Sequence, residues 1–282
     1  MSNPRSTTVP TVRSVVNALQ VVEELAQTQP VSVSDLARSV RLPKSTVFRI
    51  LITLEASGWA SADREASGLW RLTPHVFGIG LRAPTNAGLV DEALVAMAEL
   101  RDTFGETVYL TVKNGNGLVV IARTDGRNPL RSFVELGTQI PFASTASGRA
   151  FLSALPLDHA EQLLRESVNG LESPTSRFYD LALADIVESA ERGYCFDDGQ
   201  GVLGTGGAVV LDSQQGGRVT SPPYGFGPVA GVAAPIRDNK SESPLAVLTV
   251  AMPIHQTDSI DVTRLGQEIV DQCAALSAKL AS

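Results

Sequence analysis

The stretch Leu42–Trp59, LPKSTVFRILITLEASGW, decides the fold. Val47, Ile50, Leu51 and Leu54 fall at i, i+3, i+4 and i+7, the spacing of one buried helical stripe. At about 100° per residue, Ser45 and Arg49 project opposite that stripe, and Thr46 and Thr53 lie on its flank. Pro43 suits a first helical turn, where a missing N–H costs nothing. Gly58 suits the stop, because it tolerates the left-handed conformation there. The pattern predicts a helix of about four turns, with one face in a core and a short-branched polar face free. An ordinary amphipathic surface helix would show the same spacing, so the flanking segments decide between the two.

Upstream, VSVSDLARSV (Val31–Val40) is a second, shorter helix. Ser32 and Asp35 form the S-x-x-D variant of a capping box. Only Arg41 and Leu42 are left between the two helices, the tight joint of a helix-turn-helix. Further upstream, in RSVVNALQVVEELAQ (Arg13–Gln27), Val15, Leu19, Val22 and Leu25 or Ala26 make a third stripe expected to be buried. Downstream, WASADREASGLWRLTP has a turn-forming centre between short segments containing Trp59 and LWRL, a β-hairpin pattern. Three helices and a hairpin describe a winged helix-turn-helix over residues 13–80, preceded by a disordered arm at 1–12.

Charge is distributed unevenly. The 282 residues carry a formal charge of −7. Residues 1–82 hold 9 Lys+Arg against 6 Asp+Glu, or +3, and residues 83–282 hold 14 against 24, or −10. A basic head on an acidic body points the head towards phosphate. So mild an excess implies weak, salt-dependent binding by one copy, and hence a homo-oligomer reading two half-sites. The length suits two domains, and 43% hydrophobic residues supply real cores.

Cys195 and Cys273 have no C-x-x-C spacing, and His75, His159 and His255 are scattered, so neither a metal nor a disulfide framework is expected. No cofactor is expected either. No apolar run approaches the roughly 18 residues of a membrane span, and MSNPRSTTVPTVR lacks the apolar stretch of a secretory signal. A cytoplasmic protein with no membrane partner is expected.

Residues 81–104 read as a hinge, LRAPTNAGL, running into a helix in which Val90, Ala93 or Leu94, Met97, Leu100 or Arg101, and Phe104 follow helical spacing. Residues 105–282 then read as an α+β domain. TVYLTVK and LVVIART flank NGNG (Asn114–Gly117), a strong hairpin signal, and RSFVEL (Arg131–Leu136) is another expected strand. Helices follow over about 147–155, 157–166 and 181–192, strands at GYCF, VAGVAAPI and LAVLTVAM, and a last helix over about 260–279. In PFASTASGRA a strand end runs into a helix, so the N–H groups near Ser144 to Ser147 point out of a helix start. That favours a carboxylate or another anion. A Ser/Thr-capped helix packed tightly on the sheet is the alternative.

The run DLARSVRLPKSTVFRILITLEASGW with its wing resembles the DNA-binding domain of the IclR family of bacterial transcriptional regulators. FVELGTQIPFASTASGRAFLSALP is similar to the family's effector-domain signature, a G-x-x-x-P strand exit followed by a T-A-x-G-[KR]-A helix. ERGYCFDD and GVAAPI, followed by LAVLTVAMP, also resemble family blocks, so the likeness runs from about Arg13 to Leu280. It implies a GAF-like α/β effector-binding domain behind the winged head. It implies a regulator, repressor or activator, that binds a double-stranded DNA operator and a small organic effector, a carboxylate or a related compound. It also implies a dimer or dimer of dimers, paired in part through the linker helix. Lys44, Ser45, Thr46 and Arg49 would meet DNA, joined by Arg64 on the wing. Ser144, Thr145, Ala146, Ser147, Asp197, Gly231, Thr249 and Ala251 take the pocket-lining positions. Asp197 would accept a ligand donor or cap a turn.

The chain departs from the family pattern where Gly199 and Gln200 replace an acidic pair. Gly231 stands at a frequent Cys position, and a Gly/Pro-rich insertion fills about 204–228. A long loop with Tyr224 and Phe226 at its tip is expected there, as a lid or a subunit contact.

Catalytic patterns are missing. GTGG (Gly204–Gly207) lacks the Lys-Ser/Thr of a phosphate loop, and STASGR carries neither S-x-x-K nor G-x-S-x-G. The competing reading is a ligand-sensing module whose head contacts proteins instead of DNA.

Overall fold

The computed structural model describes residues 11–63, 68–80, 82, 88–127, 134–169, 176–199, 210–211, 218–219, 229–237 and 241–281. The chain divides into two compact units, Met1–Pro84 and Thr85–Ser282.

The first unit holds helices α1 (Arg13–Thr28), α2 (Val33–Ser39) and α3 (Lys44–Ala56), an antiparallel pair β1 (Ala60–Ala62) and β2 (Trp70–Leu72), and a short α4 (His75–Gly80). Ser32 caps α2 by accepting the Asp35 N–H at 3.2 Å, and its hydroxyl donates to the Asp35 carboxylate at 2.7 Å. The joint between α2 and α3 is four residues, Val40 to Pro43, rather than the two expected. Arg41 turns the chain there with a positive φ of 53°, and Pro43 is the N-cap of α3 rather than part of its first turn. The core is Val21 and Leu25 of α1, Leu36 and Ala37 of α2, Val47 and Leu51 of α3, and Ala60 and Trp70 of the wing, with Ile50 and Leu54 packed at its edge.

The stripe expected on α1 holds only at its end, where Leu25 is buried. Val15 and Leu19 are 53% and 56% exposed, and Val12 and Val16 beside them are exposed too. Only the C-terminal half of α1 reaches the core, through Val21, Glu24 and Leu25. Apolar side chains in the first half therefore form a separate stripe, which periodicity alone cannot tell from a core face.

The second unit opens with α5 (Leu89–Phe104), whose Leu89, Ala93, Ala96, Met97 and Leu100 are buried. It continues through β3 (Thr107–Asn114), β4 (Gly117–Thr124), β5 (Gln139–Pro141), α6 (Ala146–Leu152), α7 (Leu157–Asn169), α8 (Ser176–Arg192), β6 (Cys195–Asp197), β7 (Val210–Leu211), β8 (Arg218–Val219), β9 (Val229–Ile236), β10 (Ala246–Pro253) and α9 (Val262–Leu280). The strands form one sheet in the order β6-β9-β10-β3-β4-β5-β7-β8. The β3–β4 hairpin closes on Gly115 and Asn116, and Gly115 has a φ of 56°, as NGNG predicts. No strand covers Val134 to Leu136, the described part of RSFVEL; strand pairing begins at Gln139.

Strand alternation sends the two sets of side chains to opposite faces. Val108, Leu110, Val232, Ala234, Leu248 and Val250 pack with α5 and α9. Leu118, Cys195, Ala233 and Val247 pack with α6, α7 and α8. Helices cover both faces, so every residue of β10 is buried.

The insertion contains more regular structure than the expected loop. Val210–Leu211 and Arg218–Val219 pair with each other, and Leu211 pairs with Gln139 on the edge of β5. Short strands between glycine-rich stretches escape a search for apolar alternation. Tyr224 and Phe226 lie outside the described residues.

Candidate functional site

In the first unit, α3 shows two opposed stripes. Val47, Ile50, Leu51 and Leu54 face the core. Ser45, Phe48, Arg49 and Ile52 repeat the same i, i+3, i+4, i+7 spacing on the outside and are all exposed. Lys44 is exposed at the front of the helix, Thr46 is half-buried, and Thr53 is exposed with its hydroxyl donating to the Arg49 carbonyl at 2.8 Å. A cleft of about 330 Å³ runs between α1 and α3, lined by Ser14, Asn17, Thr46, Arg49, Ile50 and Thr53 among others. Arg49 thus borders both the outer face and this cleft. Arg64 lies outside the described residues.

Sequence reasoning missed Phe48 and Ile52, which are 49% and 39% exposed. The outer repeat at 45, 48, 49 and 52 was the available signal.

In the second unit, α6 sits on the sheet face carrying Ala233 and Val247. Thr145 caps this helix, accepting the Gly148 N–H at 3.0 Å while its hydroxyl donates to the Pro141 carbonyl at 3.1 Å. The N–H groups of Ala146 and Ser147, in the first turn, have no acceptor within the helix. Ser147 and Thr249 share a buried hydroxyl–hydroxyl hydrogen bond of 2.8 Å. Gly231 lies opposite Ala251 on β10 and Asp197 on β6. A methyl group added at Gly231 would meet the Ala146 Cβ at 3.5 Å and the Thr249 Cγ2 at 3.7 Å. Alternation puts Asp197, Gly231, Thr249 and Ala251 on the α6 face. Ser144 stands just before the cap; its Oγ is buried with no hydrogen-bond partner among the described residues.

Arg149, which the sequence reading passed over, organises this cluster. It is 2% exposed. It donates to Asp185 on α8, to the Ala143 carbonyl at 3.1 Å and to Asp197 Oδ2 at 2.9 Å. Burial works against its charge. Cys195, Asp197 and Asp185 around it more than offset that and push its pKa above the ordinary arginine value. The second oxygen of Asp197 accepts the Gly199 N–H at 2.9 Å, so both oxygens already have protein donors. Gly148 lets α6 lie flat on the preceding strand exit, because a Cβ there would fall 2.5 Å from the Phe142 Cα and the Pro141 oxygen. The thiols of Cys195 and Cys273 are each pushed up to about 12, by burial above all.

The fold defines a class: a winged helix-turn-helix unit and a separate α/β unit with a capped, polar-lined helix start on one sheet face. Known proteins narrow the class. The IclR helix-turn-helix domain matches residues 14–64, and the bacterial transcriptional regulator IclR C-terminal domain matches residues 82–210. The second match stops inside the insertion, yet β9 and β10 belong to the same sheet and α9 packs on it. The chain is 28% identical over 195 residues to the HTH-type transcriptional regulator BhcR of Paracoccus denitrificans, covering 66% of this chain and 67% of that protein. It is 32% identical over 177 residues to the HTH-type transcriptional repressor AllR of Salmonella paratyphi A, covering 61% and 64%. An IclR homolog from Microbacterium hydrocarbonoxydans, solved in complex with 4-hydroxybenzoate, shares the fold with a TM-score of 0.69 at 17% identity, covering 95% of this chain and 98% of that one. The chain belongs to the IclR family of bacterial transcriptional regulators.

Proposed function

We propose that this chain is an effector-responsive regulator that binds operator DNA through the outer face of α3. Its effector is a small organic molecule, held where α6 meets the sheet. The observation that carries the reading is the outer stripe of α3. Its first two turns present Lys44, Ser45 and Arg49 to solvent while the opposite stripe anchors the helix in the core. This is the presentation a major groove requires, because the front of the second helix meets base edges. Arg49 pairs with guanine or a phosphate oxygen, and Arg64 serves as a wing contact.

The buried hydroxyl of Ser144, which has no hydrogen-bond partner among the described residues, supports the effector half. Buried polar atoms find partners, and a carboxylate seated before α6 supplies one. It would also accept the first-turn N–H groups of Ala146 and Ser147. Thr145, Gly231, Thr249 and Ala251 shape the rest of the pocket. Asp197 reaches the ligand through Arg149 and the turn at Gly199. The relative solved with 4-hydroxybenzoate makes that compound the first probe.

The working form is a homodimer or dimer of dimers in the cytoplasm. The exposed stripe Val12, Val15, Val16 and Leu19 pairs the heads, and the exposed Leu94 and Val95 of α5 add to the pairing. Among the described residues no helix is long and apolar enough to cross a membrane. The protein acts by binding, without catalysis.

A mobility-shift assay on duplexes selected from a random pool, with and without 4-hydroxybenzoate and related acids, tests the reading. Arg49→Ala lowers affinity by about 1–3 kcal/mol if Arg49 reads a base, and one of the acids alters the wild-type shift. Equal binding by both proteins would reject the assignment of Arg49.

A further inference from the structure

The outer stripe of α3 is only half polar. Phe48 and Ile52 stand four residues apart, one helical turn, and 49% and 39% of their surfaces face solvent. Single exposed apolar side chains need no explanation. Here two of them adjoin on one helix face, directly beside Ser45 and Arg49 and behind Lys44. Phe48 is not part of the core of the head, which Val47 and Leu51 fill on the far side of the helix.

Hydroxyl, ammonium and guanidinium groups read donors and acceptors on base edges. The one apolar feature that a base pair shows in the major groove is the C5 methyl group of thymine. Resting on the DNA-binding reading above, we propose that Phe48 is a specificity-determining residue whose ring seats against a thymine methyl group. Ile52 extends the same apolar strip one turn further along the helix. Each operator half-site then carries an A·T pair next to the base pair or phosphate that Arg49 contacts. Charge decides against the rival occupant, a second copy of the head. A two-fold contact through this patch would bring identical surfaces together, and with them the Lys44 and Arg49 side chains of both copies. A polyanion covers the patch while neutralising both cations.

The experiment begins with the full chain and a pool of random duplexes, from which a consensus is selected. Each thymine of the consensus duplex is then replaced singly by deoxyuridine, which deletes only the methyl group. Wild type loses about fourfold in affinity at one or two positions per half-site, the worth of one buried methyl group. Phe48→Ala binds the thymine duplex more weakly and no longer distinguishes deoxyuridine at those positions, and Phe48→Leu retains part of the discrimination. Circular dichroism of both variants matches wild type, because the ring lies outside the core. Wild type indifferent to every deoxyuridine, or Phe48→Ala still sensitive at the same positions, overturns the role of Phe48 and leaves DNA binding intact. Loss of self-association in Phe48→Ala, measured by light scattering, overturns it in favour of a contact between copies. Enrichment of no sequence at all overturns the DNA-binding reading itself.

Discussion

Two residues show how differently charge can be buried in the same domain. Arg149 is enclosed yet satisfied on three sides, by Asp185, Asp197 and the Ala143 carbonyl. Removing one member of such a cluster leaves the others uncompensated in low dielectric. Arg149→Met is expected to cost about 3–5 kcal/mol in urea unfolding, with partial recovery when Asp185→Asn and Asp197→Asn are added. A loss below about 1 kcal/mol, the worth of an exposed pair, would show that the cluster is not what anchors α6. Glu106 is the opposite case. It is buried, its Oε2 has no hydrogen-bond partner among the described residues, and burial raises its pKa above the ordinary 4.5. A raised folded pKa means the proton is held more tightly in the native state. Its stabilising share is full below about 4.5 and is lost as pH rises through the higher folded value. Glu106→Gln therefore raises Tm at pH 7, and the gain shrinks as pH falls to 4; a variant less stable at pH 7 contradicts this.

Elements were legible in the sequence where one periodicity served one purpose. The inner stripe of α3, the Ser32–Asp35 cap and the NGNG turn each carry a local signal strong enough to stand alone. Where a helix has two apolar faces, the pattern misleads. On α1, Val15 and Leu19 have core spacing and lie in solvent. On α3, Phe48 and Ile52 were hidden by the stronger stripe opposite them. The candidate pocket was legible only as a set of positions. Thr249 and Gly231 are brought together by long-range strand pairing and Ser147 by the packing of α6 on that sheet, neither of which local spacing encodes, and Arg149 drew no attention because a buried arginine looks like any other in sequence. The exposed stripe on α1 carries its own prediction. Leu19→Glu leaves the fold unchanged by circular dichroism, weakens head pairing in light scattering, and lowers affinity for a two-half-site duplex more than for a single half-site. An equal effect on both duplexes would remove the pairing role.

At the scale of the whole molecule, the chain joins a basic head to an acidic body, +3 against −10 by the counts of residues 1–82 and 83–282. The body contributes nothing favourable to phosphate binding, and like charge keeps it off the duplex. Affinity for DNA must therefore come from the few cations of the head, which the proposed oligomer would double. An effector that prefers one arrangement of the paired heads shifts affinity by as much as it discriminates between arrangements, and no further. The central claim is that the outer face of α3 lies on duplex DNA. The most direct test is the dissociation constant for the selected duplex, measured by fluorescence anisotropy from low to high salt, for wild type and Arg49→Ala. Wild type should show a steep linear fall of log affinity with log salt, because neutralised phosphates release counterions. Arg49→Ala should bind more weakly at every salt concentration, its slope shallower by about one if Arg49 meets a phosphate and unchanged if it reads a base. A flat wild-type line would contradict the claim, and identical lines for the two proteins would remove Arg49 from the contact.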